Sequence, residues 1–88
     1  MAKFMIEFPH SSEECLDTME LLAQKNPDVL AATDWGCLVD KHTGWGIVEA
    51  DNRAQIEAAL PPDLNEKAVI TEINRFDLED IKSRHMAA

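Results

Sequence analysis

Residues 3–8 alternate. Phe4, Ile6 and Phe8 fall on one side of an extended chain, and Lys3, Met5 and Glu7 fall on the other. Pro9 closes this strand because it has no N–H to give to a ladder. Helical spacing takes over at Ser11-Ser12-Glu13-Glu14. Ser11 and Glu14 make a capping box there, and two acids in the first turn suit the helix dipole. Cys15, Leu16, Met19, Leu22 and Ala23 supply the apolar set. Asn26-Pro27 ends the helix, since a residue before proline avoids the α region. Residues 27–32 form either one further turn or a loose loop.

Residues 34–51 hold two short apolar runs around a polar segment that ends in glycine, the pattern of a β-hairpin. An even connection puts Leu38 and Asp40 on one face with Trp45, Ile47 and Glu49. Cys37 and Val39 then share the other face with Gly46, Val48 and Ala50. A bulge at Gly44 exchanges the faces of one strand. Asp51 or Asn52 caps a second helix whose stripe is Ile56, Ala59 and Leu60, and Pro61-Pro62 stops it. Residues 67–76 alternate again, with Val69, Thr71 and Ile73 on one side and Ile70, Glu72 and Asn74 on the other. Asp77 caps a third helix in the tail, which docks through the small apolar edge of Leu78 and Ile81.

The order is β-α-β-β-α-β, the split βαβ arrangement. It predicts one α+β domain over residues 1–88: a ferredoxin-like βαββαβ fold with a four-stranded antiparallel sheet, two helices on one face and a short C-terminal helix. The expected helix-side layer is Phe4, Ile6, Phe8, Cys37, Val39, Val48, Ala50, Val69 and Ile73. The open face then carries Met5, Leu38, Trp45, Ile47 and Ile70 together, too apolar a patch for water alone. A chain of 88 residues buries only roughly 60–65% of its unfolded surface. A homodimer formed through that open face is therefore expected, and the same five residues are the candidates for binding a small apolar or aromatic ligand.

Composition narrows the partners. The formal net charge of −9 opposes phosphate backbones and anionic membranes, so neither nucleic acid nor membrane is expected. No apolar run approaches the roughly 20 residues of a membrane span. The first residues read as a strand and not as a signal peptide, which makes the cytoplasm the expected compartment. Cys15 and Cys37 belong to no CxxC pair and read as buried reduced thiols.

Three kinds of chemistry suggest themselves. Glu7, Glu49 and Glu72 share the expected open face; convergence in an enclosed pocket raises the pKa of at least one and makes a proton-transfer group. His10, after the first strand, is a candidate general base. Trp35 and Trp45 suit stacking on a planar ligand or anchoring an interface. His10, His42 and His85 show no ligand spacing, so no metal site and no cofactor are expected.

The strand Phe4-Met5-Ile6-Glu7-Phe8 and the segment His42-Thr43-Gly44-Trp45-Gly46-Ile47-Val48-Glu49-Ala50-Asp51 resemble the dimeric α+β-barrel superfamily, nearest to families of short uncharacterised bacterial proteins. That superfamily includes muconolactone isomerases, cofactor-free quinone-forming monooxygenases and haem-binding members. The resemblance implies the fold and the dimer; no catalytic motif carries over. Two readings of function follow. One is a dimeric module that binds a small apolar or aromatic molecule or serves as an interaction unit. The other is a cofactor-independent isomerase or monooxygenase acting on a hydrophobic ring.

Overall fold

Phe4, Ile6 and Phe8 are buried, whereas Lys3, Met5 and Glu7 keep part of their surface, so the first strand, β1 (Ala2–Pro9), presents the face its alternation predicts. This comes from a computed structural model that describes the backbone of residues 1–87 and the side chains of residues 1–85. A 3₁₀ turn (Ser12–Glu14) leads into α1 (Cys15–Lys25), and Glu14 accepts from both the backbone N–H and the hydroxyl of Ser11 at 3.1 and 3.0 Å. Residues 27–32, left open by the sequence, contain a further helical turn, α2 (Pro27–Ala31). Asn26 caps it by accepting from the Val29 N–H.

Three more strands follow: β2 (Thr33–Trp35), β3 (Thr43–Ala50) and β4 (Val69–Ile73). They make one four-stranded sheet in the order β2-β3-β1-β4, with every neighbouring pair antiparallel. Between β3 and β4 lie α3 (Arg53–Ala59), capped by Asn52, and α4 (Pro62–Lys67). Pro61-Pro62 stops α3 as expected, and Pro62 then opens α4, a use of proline at the first helical position that suits its fixed φ. Leu22, Val29, Ile56, Leu60 and Leu64 meet Phe4, Ile6, Phe8, Ala50 and Ile70 in one core. All helices that contribute to it therefore lie over a single sheet face. Among the described residues, no helix is long and apolar enough to cross a membrane.

Three expectations are corrected. The hairpin's first strand is Thr33–Trp35, and Cys37–Val39 is instead a 3₁₀ turn. Gly36 explains why. Its N–H donates to Thr43 O at 3.0 Å and closes the strand pair, while a Cβ there would lie 2.6 Å from Lys41 O. The chain turns back at once, with Asp40 in the left-handed region at φ 64°. Cys37 and Val39 are thus not core strand positions, and Leu38 is fully exposed and off the open face.

The second correction is to β4, where Ile6 pairs with Ile70 and Phe4 with Glu72. Opposed residues share a face, so Ile70 enters the core while Val69 and Ile73 move to the open face. Both alternating sets of β4 contain isoleucine, and only the register with β1 decides between them. The third correction is to the tail. Asp77 and Asp80 cap α5 (Leu78–Ala87) reciprocally, but Leu78 and Ile81 are more than half exposed, so their apolar edge stays in solvent.

Candidate metal centre

Four side chains converge at one end of the sheet: His10, Cys15, Cys37 and His42. Their donor atoms all lie within 4.8 Å of one another. The sheet register builds this meeting. Pro9 pairs with Thr43, so the residue leaving β1 and the residue entering β3 are neighbours, and the His10 N–H donates to His42 O at 3.1 Å. Cys15 is the first residue of α1, which the Ser11–Glu14 box starts close behind His10. Cys37 is carried in by the tight turn at Gly36. Trp35 walls the group on one side, its ring 5.8 Å from the His10 ring and 6.0 Å from Phe8.

The two thiols are 2.9 Å apart. His10 Nε2 lies 3.1 Å from Cys15 Sγ and 3.2 Å from Cys37 Sγ, and His42 Nδ1 lies 3.3 Å from Cys15 Sγ. The outer ring nitrogens are also engaged. His10 Nδ1 is 2.9 Å from Phe8 O, and His42 Nε2 is 3.0 Å from a carboxylate oxygen of Asp40. A carbonyl and a carboxylate only accept. Each neutral imidazole therefore carries its proton on the outer nitrogen and turns a lone pair towards the sulfurs. Metal-binding histidines are held in this way, by a backbone carbonyl or a carboxylate behind the ring.

Burial and charge fit the same chemistry. Both cysteines are free and partly buried. The hydrogen bond that Cys15 gives to Cys37, aided by desolvation and by the charge a Cys37 thiolate would carry, pushes the Cys15 thiol up to about 11. Without a cation Cys15 holds its proton. A divalent ion between two thiolates and two neutral imidazoles makes a site of zero net charge, which a half-buried pocket tolerates. Tetrahedral zinc, with Zn–S near 2.3 Å and Zn–N near 2.0–2.1 Å, sets donor separations of about 3.3–3.8 Å. The sulfur–sulfur and sulfur–nitrogen contacts given above, 2.9–3.3 Å, reach those values with changes of less than about 1 Å.

Compared with family models, with curated proteins and with solved structures, the chain gives no match in any of the three.

Of the catalytic candidates singled out by sequence, His10 lies in this group, joined by Cys15 and Cys37, read there only as buried reduced thiols, and by His42. Glu7, Glu49 and Glu72 do not converge. Glu7 stands opposite Trp45 and Glu49 opposite Lys3, four residues apart along β1, about 13 Å at strand rise, and Glu72 is on the other face beside Phe4. Met5, Trp45 and Ile47 do share the open face, with Val69 and Ile73 in place of Leu38 and Ile70. His85 sits in α5 and takes no part in the group.

The expectation that the histidines show no ligand spacing missed a mirrored pattern: His10 and Cys15 are five apart, and so are Cys37 and His42. Searching for like pairs, two cysteines or two histidines, overlooks it, because each half mixes the two residue types.

Proposed function

We propose that this protein is a metal-binding module whose site, His10–Cys15–Cys37–His42, takes Zn²⁺ or a similar thiolate- and imidazole-preferring ion. The observation that carries the reading is the pair of outer-nitrogen contacts, Phe8 O behind His10 and Asp40 behind His42, which leave both inner nitrogens as donors beside two sulfurs. Two soft sulfurs and two imidazoles favour zinc over magnesium or calcium. Four protein ligands close the coordination shell, so the ion is structural: it ties the end of β1, the start of α1 and the β2–β3 turn into one knot. The test is metal analysis of the purified protein together with Co²⁺ substitution. One ion per chain and a thiolate-to-cobalt charge-transfer band, both lost in Cys15→Ser and Cys37→Ser, are the expected results. Absence of stoichiometric metal under reducing conditions with added zinc overturns the reading.

The strand order and the all-antiparallel pairing support a ferredoxin-like assignment, as does the likeness to dimeric α+β-barrel proteins. A homodimer through the open face is part of this proposal. Its support is the half-exposed Ile47 and Val69, which lie on the same face as Met5, Trp45 and Ile73. Small-molecule binding on that face, cytoplasmic residence, and the alternative of an isomerase or monooxygenase rest on the sequence resemblance. The separation of Glu7, Glu49 and Glu72 gives the enzymatic alternative no paired carboxylates to work with.

A further inference from the structure

We infer that Cys15 and Cys37 are a site of reversible oxidation by hydroperoxides, and that their oxidation to a disulfide expels the bound metal. The inference rests on the metal reading above.

The geometry points there on three counts. The sulfurs lie 2.9 Å apart, so joining them needs a closure of about 0.9 Å towards the ordinary S–S length. They are partly buried, not sealed, and Cys37 is followed by the exposed Leu38 and Val39 in a short surface turn. The cysteines supply both anionic ligands of the set. The two remaining donors, His10 and His42, are neutral, and two imidazoles alone do not complete a tetrahedral zinc shell.

One thiolate sulfur attacks a peroxide oxygen. The O–O bond breaks, the sulfur becomes a sulfenic acid, and the departing oxygen leaves as water after taking a proton. The second thiolate attacks the sulfenic sulfur. An S–S bond forms, the S–O bond breaks, and the hydroxide is protonated to a second water. Two thiolates are oxidised by two electrons in total, and one hydrogen peroxide is reduced to two waters with two protons drawn from solvent. The disulfide is neutral, and the ion leaves with its charge no longer balanced. A dithiol reductant reverses the change by thiol–disulfide exchange.

The test uses the full chain loaded with zinc. Hydrogen peroxide is added at increasing ratio, free zinc is followed with a chromogenic chelator, and the products are read by intact mass and peptide mapping. The expected result is one zinc released for each Cys15–Cys37 disulfide formed, a mass lower by two hydrogens, and full rebinding after dithiothreitol. Trp35, beside His10, reports the same transition by its emission. A chain that holds no zinc at the start overturns the metal reading and the switch together. Zinc that stays bound with both thiols reduced in excess peroxide overturns the switch alone. So does zinc release accompanied by added oxygen mass that dithiothreitol does not remove.

Discussion

Asp40 does two jobs in the β2–β3 turn. Its backbone takes the left-handed conformation that lets the turn close, and its carboxylate holds His42 by the outer nitrogen. The two jobs separate by substitution. Asparagine tolerates the left-handed region and still offers an acceptor oxygen. Asp40→Asn is expected to keep zinc affinity near that of the parent, whereas Asp40→Gly, which accepts the left-handed backbone but has no acceptor oxygen, loses about 10–100-fold, as removal of such a supporting contact typically does. Competition with a chelator of known strength measures both.

Proton counts give a second check at this scale. Cys15 must shed a proton held up to about 11 before it can ligate, so zinc uptake near neutral pH releases protons and affinity climbs with pH. Calorimetry in buffers of different ionisation enthalpy reads that release. Without metal the sign reverses for folding. The folded chain binds the Cys15 proton more tightly than the unfolded chain, whose thiol has the ordinary value of 9.0. The stability this contributes is complete below 9.0 and is lost as pH rises towards about 11. Urea titrations of the reduced, metal-free protein across that alkaline range are expected to show the decline.

The elements show which signals in the sequence were local. The Ser11–Glu14 box, the Asp77 cap, the proline stops and, as one of two choices with Asp51, the Asn52 cap involve residues within a few positions of one another and were readable. Ser11→Ala is expected to cost about 1 kcal/mol in chemical denaturation. The Ser11 contacts together with Lys67 hold the Glu14 carboxyl below its ordinary value, so the contribution of this start to stability is present above that value and fades as acid titrates the group.

The errors fell where a distant partner decides. β4 could present either set of its alternating residues, and the pairing of Ile6 with Ile70 chose. The run Cys37-Leu38-Val39 has strand-like composition, yet the close approach of Gly36 to Lys41 curls it into a turn. That misreading hid the site as well. A Cys37 placed in the middle of a core strand stays away from His10, whereas a Cys37 at the bend meets it.

At the scale of the whole molecule, two terms supplement a small core. One is the proposed metal: free zinc at 100 times its dissociation constant adds at most about 2.7 kcal/mol of stability, a large share of the ~5–10 kcal/mol of a domain this size. The other is the proposed second copy over Met5, Trp45, Ile47, Val69 and Ile73. Ile47→Glu places a charge in the middle of that patch, opposite Met5. It is expected to weaken self-association at least about tenfold, or 1.4 kcal/mol, with zinc content unchanged. Light scattering across a dilution series, run beside metal analysis, tests both halves of that statement. A parent chain that runs as a monomer at every concentration removes the dimer and leaves the metal site standing.

The mirrored five-residue spacing also bears on how the chain finds its shape. Each His/Cys pair is short enough to grip an ion before any sheet exists, and one ion gripped by both pairs draws residues 10 and 42 together ahead of β-pairing. The proposed zinc is then expected to act as a tether that shortens the search for the β1–β3 register, with refolding faster in its presence, as stopped-flow tryptophan emission measures. Because the disordered chain shares some of this grip, the ion's hold on the finished protein overstates what it adds at equilibrium.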